Sequence, residues 1–301
     1  MRRPLRLVVP VRLVFGVRRR KRVVLAVCAV VVASTWGLVT SPAPRAVATP
    51  NPSSYAAVAS NGRLRNFGGS TAIVDLDGRL PGSIVGGCVT QAGTGYRMVG
   101  ANGAVYRFGA ASYAGSGSSQ AFNQPVLGMA CTPSGNGYWL IAGDGGVFSY
   151  GDAGFLGSMG ATRLNQPIVG GAGTATGRGY WLVASDGGVF SFGDAAFFGS
   201  TGNLKLAKPI VAITVTPSGN GYWLVASDGG VFSFGDARFF GSAANIILAA
   251  PVVGMAPTTT GNGYWLIASD GGIFNFGDAA FLGSAASPTT GIPVVAVIAG
   301  L

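Results

Sequence analysis

Histidine and glutamate are both absent from this chain. The sequence has no histidine, and its ten acidic residues are all aspartates. Without histidine, the chain cannot build a Ser-His-Asp or Cys-His nucleophile pair or a histidine-ligated zinc site. Without glutamate, the paired glutamates that many glycosidases use are excluded as well. Aspartate is therefore the one carboxylate left for catalysis or metal binding.

Positive charge is scarce outside the N-terminal part of the chain. Residues 1–48 hold ten of the 20 lysines and arginines and no acid. The remainder has ten basic residues and ten aspartates, so its formal net charge is zero. The net charge of +10 therefore belongs to residues 1–48 and does not indicate a nucleic-acid partner.

Residues 1–48 have the pattern of an export signal. A basic stretch ends at Arg22, an apolar run extends over residues 23–39, and Ala46–Ala48 fits a small-x-small cleavage site. The apolar run is long for a signal peptide and short for a spanning helix, so cleavage after Ala48 and retention as a membrane anchor both stay open. Either outcome places the rest of the chain outside the cytoplasm, secreted or at the cell surface.

A repeat of 42 residues organises the remaining sequence. The Gly-Tyr pair that marks it begins at Gly95, Gly137, Gly179, Gly221 and Gly263, and Tyr55 heads an incomplete sixth copy. Within each copy, short aromatic and β-branched runs are separated by Asp-Gly and Gly-Asp turns, which is typical of strands joined by hairpins. Four short antiparallel strands in about 42 residues predict one blade of a β-propeller. A β-solenoid is the competing repeat fold, with shorter rungs.

The predicted organisation is an all-β, six-bladed β-propeller over residues 55–301, joined to the leader by a linker at 49–54. The first copy lacks an innermost strand, whereas an extra strand follows the last copy. We therefore predict that residues 294–298 pair with the strand that begins at Tyr55. This pairing closes the ring and leaves no sheet edge open.

The motif GYWLVASDGGVFSFGDA, exact in copies four and five and nearly so in copies three and six, resembles a repeat found in proteins secreted by actinobacteria. The resemblance covers residues 55–301 and implies a β-propeller. In that family the repeats are sometimes joined to hydrolase domains, and this sequence shows no such domain. Copies one and two depart from the motif, with Ala56 and Arg97 in place of tryptophan and Asn61 and Asn102 in place of aspartate.

The tryptophan and the first aspartate of each complete copy are the candidate ligand-binding residues. They are Trp139, Asp144, Trp181, Asp186, Trp223, Asp228, Trp265 and Asp270. Tryptophan faces can stack on sugars, but mid-strand aromatic residues also pack between blades. Aspartate before glycine favours a tight turn, and calcium would need more oxygens than single aspartates supply. We predict no catalytic residue, no metal site and no cofactor.

These patterns predict a non-enzymatic binding or scaffold module, monomeric, with an extracellular protein or glycan as partner. A multivalent lectin that uses the tryptophans and the Asp-Gly turns is the alternative, and a hydrolase with its site in the channel is a third. The connections between copies differ most in sequence, and loops on a rigid scaffold commonly carry binding. The ligand itself is not identified by the sequence.

Two cysteines remain outside the leader, which holds Cys28. Cys88 and Cys131 lie on the predicted innermost strands of blades two and three. An even number of cysteines in an exported protein favours a disulfide. The spacing between packed sheets argues against it, so two buried free thiols remain the alternative.

Overall fold

The structure is a computed structural model that describes residues 54–68, 82–90, 95–286 and 291–299. Contacts divide the chain into residues 1–48 and residues 49–301. The predicted leader, with its cleavage site and apolar run, lies outside the described residues, as does most of the predicted linker. Among the described residues, none belongs to a helix long and apolar enough to cross a membrane.

The described residues form eighteen strands, in repeating sets of inner, middle and outer strand. The inner strands are β3 (Ile84–Val89), β6 (Val126–Cys131), β9 (Ile168–Gly173), β12 (Ile210–Val215), β15 (Val252–Pro257) and β18 (Val294–Ala299). The middle strands are β1 (Tyr55–Ala59), β4 (Gly95–Gly100), β7 (Tyr138–Ala142), β10 (Gly179–Ala184), β13 (Gly221–Ala226) and β16 (Gly263–Ala268). The outer strands are β2 (Leu64–Phe67), β5 (Val105–Gly109), β8 (Val147–Tyr150), β11 (Val189–Gly193), β14 (Val231–Gly235) and β17 (Ile273–Gly277).

Each set forms one three-stranded antiparallel sheet, and the six sheets are the blades of a ring. The inner strands contact one another in cyclic order, from β18 through β3, β6, β9, β12 and β15 back to β18. The ring is closed because β18, the last strand, pairs with β1, the first strand, with Ala56 opposite Ile298. This confirms the predicted propeller architecture and its closure. Blade one is β18-β1-β2, and blades two to six follow in sequence.

The predicted fourth strand of each blade is wrong: within the described residues, each sheet has three strands. In blades two to six the segment after the outer strand instead packs on the next blade, and we call this segment the strap. The straps span 111–116, 153–158, 195–200, 237–242 and 279–284. In the fourth of them, Gly241 has φ of 136°, and a Cβ there would lie 2.6 Å from the Phe276 ring of the next blade. Only glycine allows both this backbone and this close approach, so it turns the strap away from its own sheet.

Aromatic side chains between the blades form much of the core. Each complete middle strand places a tryptophan against the first tyrosine of the next middle strand. The ring centroids are 5.3 Å apart for Trp139–Tyr180, 5.6 Å for Trp223–Tyr264 and 5.3 Å for Trp265–Tyr55. Such tilted aromatic pairs add stability beyond the area they bury. The contact between Trp265 and Tyr55 continues this pattern across the point of closure.

Candidate functional site

The four predicted tryptophans are buried and do not form a binding surface. Trp139, Trp181, Trp223 and Trp265 are at most 1% exposed. Each donates its Nε1–H to a carbonyl of its own strap, for example from Trp223 to Arg238 at 2.8 Å. This burial corrects the interpretation of the indoles as sugar platforms: their faces are covered by the neighbouring blade, where they serve as core.

The first aspartate of each complete copy shapes the turn between the middle and outer strands. One carboxylate oxygen of Asp228 accepts the backbone N–H of Gly230 at 2.9 Å. Asp144, Asp186 and Asp270 make the same contact with the glycine two residues on. In blades one and two, Asn61 and Asn102 accept the equivalent bond. Asparagine can replace aspartate here because the turn needs one acceptor oxygen and no charge.

The second aspartate of each complete copy makes its hydrogen bonds at the opposite end of the outer strand. In blade five, the Asp236 carboxylate accepts hydroxyl bonds from Thr216 at 2.9 Å and Ser218 at 2.5 Å, which ties the outer strand to the turn between the inner and middle strands. Asp152, Asp194 and Asp278 repeat the arrangement. The two aspartates of one copy therefore lie at opposite ends of the outer strand. Across the described residues, no three His, Cys, Asp or Glu side chains converge into a metal site.

The central channel is lined mainly by glycines and aliphatic side chains. Glycines and aliphatic residues of all six inner strands surround it, together with Met129, Met255 and Thr214. The Thr214 hydroxyl donates to the Met255 carbonyl at 3.2 Å and is occupied by that bond. These residues bring no acidic or basic side chain into the channel.

The predicted variable connections line grooves on one face of the ring. One groove is lined by Gln124, Leu127, Asp144 and Leu164, beside blades three and four. A second, between blades six and one, brings Arg63 and Arg65 near Asp270. Amide and charged groups at the lip of a groove suit polar ligands. Asp144 and Asp270 are the two predicted site residues that line these grooves.

A second set of aromatic residues, which the sequence reasoning missed, is exposed on the straps. They are Tyr113, Phe155, Phe197, Phe239 and Phe281, each separated from the next by 42 residues. Their exposed fractions lie between 55% and 62%. The next residue points the other way, as Phe240 does, whose ring lies 5.8 Å from Tyr264 of the next blade. The straps cover the outer strands of the next blades, so each described strap presents one aromatic ring on the outer rim.

The signal lay in the sequence: Phe155, Phe197, Phe239 and Phe281 occupy the fifth position of Gly-Asp-Ala-x-Phe, and Tyr113 occupies the same place in Gly-Ala-Ala-Ser-Tyr. Its 42-residue period was visible, but its exposure depends on the strap crossing to the neighbouring blade. We call these five residues the aromatic rim. Aromatic residues are enriched at protein interfaces, and here an aromatic residue recurs at the equivalent position of each described strap.

Tyrosine hydroxyls hold the straps in place. Tyr222 donates to the Gly199 carbonyl at 2.6 Å and accepts the backbone N–H of Phe198 at 3.2 Å. Burial raises the pKa of the Tyr222 hydroxyl above its ordinary value, and the bonds to the strap only partly oppose this. The same cause raises the pKa of Tyr264. These hydroxyls therefore remain neutral donors through the physiological range.

Cys88 and Cys131 are joined by a disulfide, with their Cα atoms 5.8 Å apart. It links the ends of β3 and β6 and so connects blades two and three. Inner strands of neighbouring blades converge toward the channel, which brings the two backbones within disulfide reach.

Comparison with known proteins shows a fold and no family. No protein family matches the sequence. No curated protein matches it. Among solved structures, a chain from "Crystal structure of Nidogen/Laminin Complex" superposes with a TM-score of 0.59 at 8% sequence identity. The match covers 83% of this chain and 98% of that chain. At this identity the likeness shows the β-propeller fold alone.

Proposed function

We propose that this chain is an exported, non-catalytic β-propeller that binds an extracellular protein through its aromatic rim. The observation that carries the proposal is the recurrence of a half-exposed aromatic ring on five straps. Aromatic residues are enriched at the centres of protein interfaces because they bury much area with little loss of side-chain entropy. A propeller of similar fold occurs in the nidogen/laminin complex, which supports a protein-binding use of this architecture.

A multivalent glycan is the second candidate ligand. The regular placement of one ring on each of five described straps favours a ligand that itself repeats, because a sugar chain can contact several equivalent sites in turn. Each site can then be weak while the whole is tight, through effective concentration. In this form the lectin interpretation rests on the aromatic rim and no longer on the buried tryptophans.

Two matched variants test the proposal. The rim variant carries Phe155→Ser, Phe197→Ser, Phe239→Ser and Phe281→Ser. The control variant carries Leu204→Ser and Ile247→Ser, which remove exposed apolar groups from connections between blades. Residues 49–301 of each are applied to a glycan array, to purified cell wall and to extracellular proteins captured by cross-linking to the wild type. We expect the rim variant to lose at least about tenfold in affinity, as for loss of interface anchors, and the control to bind normally.

The outcomes separate the candidates. Loss of binding to a purified protein supports the protein ligand, and loss of binding to the array or cell wall supports the glycan. Equal binding by the rim variant and the wild type would remove the aromatic rim from the binding surface. Export is tested separately, by fusing residues 1–48 to a reporter enzyme that is active only outside the cytoplasm.

A further inference from the structure

Blade two has an arginine where the complete repeats have tryptophan. The Arg97 side chain is fully buried. It makes the two contacts that tryptophan makes in the complete repeats, one with a strap carbonyl and one with the tyrosine ring of the next blade. Its Nε donates to the Ser112 carbonyl at 2.9 Å, at the strap position that accepts from tryptophan in the other blades. Its guanidinium lies 5.1 Å from the centre of the Tyr138 ring, in place of the indole–tyrosine contact.

The guanidinium also makes contacts that an indole would not. Nη1 lies 3.2 Å from the Cys131 sulfur, and Nη2 donates to the Gly135 carbonyl at 2.6 Å and to the Ser112 hydroxyl at 2.9 Å. Within the described residues, none of these partners is a carboxylate. Burial lowers the pKa of Arg97, opposed by Tyr138 and Asp152. Asp152 itself is engaged by the hydroxyls of Thr132 and Ser134.

The arginine occurs at the one described blade interface where a cysteine faces this position. The residues that follow Cys131 at 42-residue steps are Gly173, Val215 and Pro257. At the first of these, a Cβ added to Gly173 would lie 3.1 Å from the Trp139 ring, so the same two positions also meet at the interface of blades three and four. Arg97 and Cys131 are therefore placed together by the repeat geometry.

We propose that Arg97 makes the Cys88–Cys131 disulfide a site of thiol–disulfide exchange with low-molecular-weight thiols, in which Cys131 is the leaving sulfur. A monothiol thiolate attacks the Cys88 sulfur and forms a mixed disulfide there. The Cys88–Cys131 bond breaks, and both of its electrons go to Cys131, which leaves as a thiolate beside the guanidinium. A second monothiol thiolate attacks the monothiol sulfur of the mixed disulfide. This releases Cys88, which takes a proton from water, and two monothiols are oxidised to one disulfide.

The geometry supports this direction of attack. The guanidinium covers the Cys131 sulfur, whereas it makes no hydrogen bond to Cys88 in the described residues. Both cysteines are only partly buried. Exchange is faster when the leaving thiol is a stabilised anion. A buried cation without a carboxylate partner gains such an anion when the disulfide opens.

The first experiment identifies the leaving sulfur in the wild-type protein. Folded, oxidised protein is treated briefly with 2-mercaptoethanol at pH 6.5, and free thiols are trapped with iodoacetamide. Peptide mass spectrometry then locates both labels. We expect the 2-mercaptoethanol adduct on Cys88 and the alkyl group on Cys131. The reverse assignment, an even distribution, or resistance to the reagent until the protein unfolds would each overturn the proposal.

The second experiment tests the part played by Arg97. Arg97→Gln removes the charge, Arg97→Lys keeps it, and Arg107→Gln removes an exposed charge from the same blade. The rate of native-state reduction should fall severalfold in R97Q and stay within about twofold of wild type in R97K and R107Q. In reduced wild type, alkylation at pH 6.5 should be more than about threefold faster at Cys131 than at Cys88. Equal reduction rates in R97Q and wild type would contradict the proposal. If R97Q does not fold, a reduction rate of R97K well below that of the wild type would contradict it instead.

Discussion

The Tyr55 hydroxyl donates a hydrogen bond of 2.6 Å to the carbonyl of Gly283, 228 residues away. Gly283 belongs to the last strap, which packs on Phe67 of blade one. The same tyrosine is paired with Ala299 of β18 on the neighbouring strand. Two separate C-terminal segments therefore close the ring on the first blade, one by strand pairing and one by the strap.

Removal of the closing strand is expected to destroy the cooperative fold. Deletion of residues 293–301 leaves β1 without its inner partner and leaves β3 and β15 without the strand between them. Exposed edges of this kind lead to aggregation. Size-exclusion chromatography and thermal unfolding check the outcome, with deletion of residues 300–301 as the control. A truncated protein that stays monomeric with the wild-type Tm would show that the strap alone closes the ring.

The repeating part of this fold could be predicted from sequence because it depends on the spacing of residues along the chain. The 42-residue period, the Asp-Gly turns and the unpaired runs at the chain ends led to six blades and to the pairing of β18 with β1. The straps could not be predicted in this way. Their path depends on Gly241 and its equivalents lying against an aromatic ring of the next blade, and no local pattern reports that contact.

Which of the periodic aromatic residues are exposed could not be predicted, for the same reason. Both Trp223 and Phe239 are large aromatic residues that recur every 42 residues, so periodicity does not distinguish them. The next blade covers Trp223, whereas the strap turns Phe239 outward. Arg97 could be recognised as a departure from the repeat, but its meeting with Cys131 depends on how neighbouring blades face each other.

Asp236→Ala is expected to destabilise the protein by about 1–2 kcal/mol, because the hydroxyls of Thr216 and Ser218 lose a charged acceptor. Asp228→Asn should cost less than about 0.5 kcal/mol, since Asn61 and Asn102 already make the same turn in blades one and two. Urea unfolding of the two variants beside the wild type measures the difference. If both variants unfold at the same urea concentration, the hydrogen bonds from Thr216 and Ser218 to Asp236 add no more to the unfolding free energy than the charge of Asp228 does.

Chelation is expected to leave the Tm unchanged. Calcium needs about six to eight oxygen ligands, whereas the carboxylates of each repeat lie at opposite ends of the outer strand and already accept protein hydrogen bonds. Thermal unfolding in EDTA, in calcium and in magnesium makes the comparison. Destabilisation by EDTA that calcium reverses and magnesium does not would identify aspartates as ligands.

Alkaline pH is expected to unfold the protein through its buried tyrosines. Burial raises the pKa of Tyr55, Tyr106, Tyr138, Tyr150, Tyr180, Tyr222 and Tyr264 above the ordinary value of 10.0. Above pH 10 the unfolded chain loses these protons while the folded protein keeps them, so the unfolded state binds fewer protons and stability falls as pH rises. The contribution of these tyrosines to stability is complete below pH 10 and is lost as the pH rises toward their raised pKa in the folded protein.

Two phenylalanine variants isolate this effect. Tyr222→Phe loses the bond to Gly199, so at pH 7 its unfolding free energy should fall by about 0.5–1.5 kcal/mol. Because it also removes one buried ionisable group, its stability should decline less steeply than that of the wild type between pH 10 and 12. Tyr113→Phe, at a residue 55% exposed, should match the wild type in both respects. Urea unfolding at each pH measures stability, and tyrosinate absorbance of the folded protein measures ionisation. Ionisation of all native tyrosines near pH 10 would contradict the expected protection of the strap-binding hydroxyls.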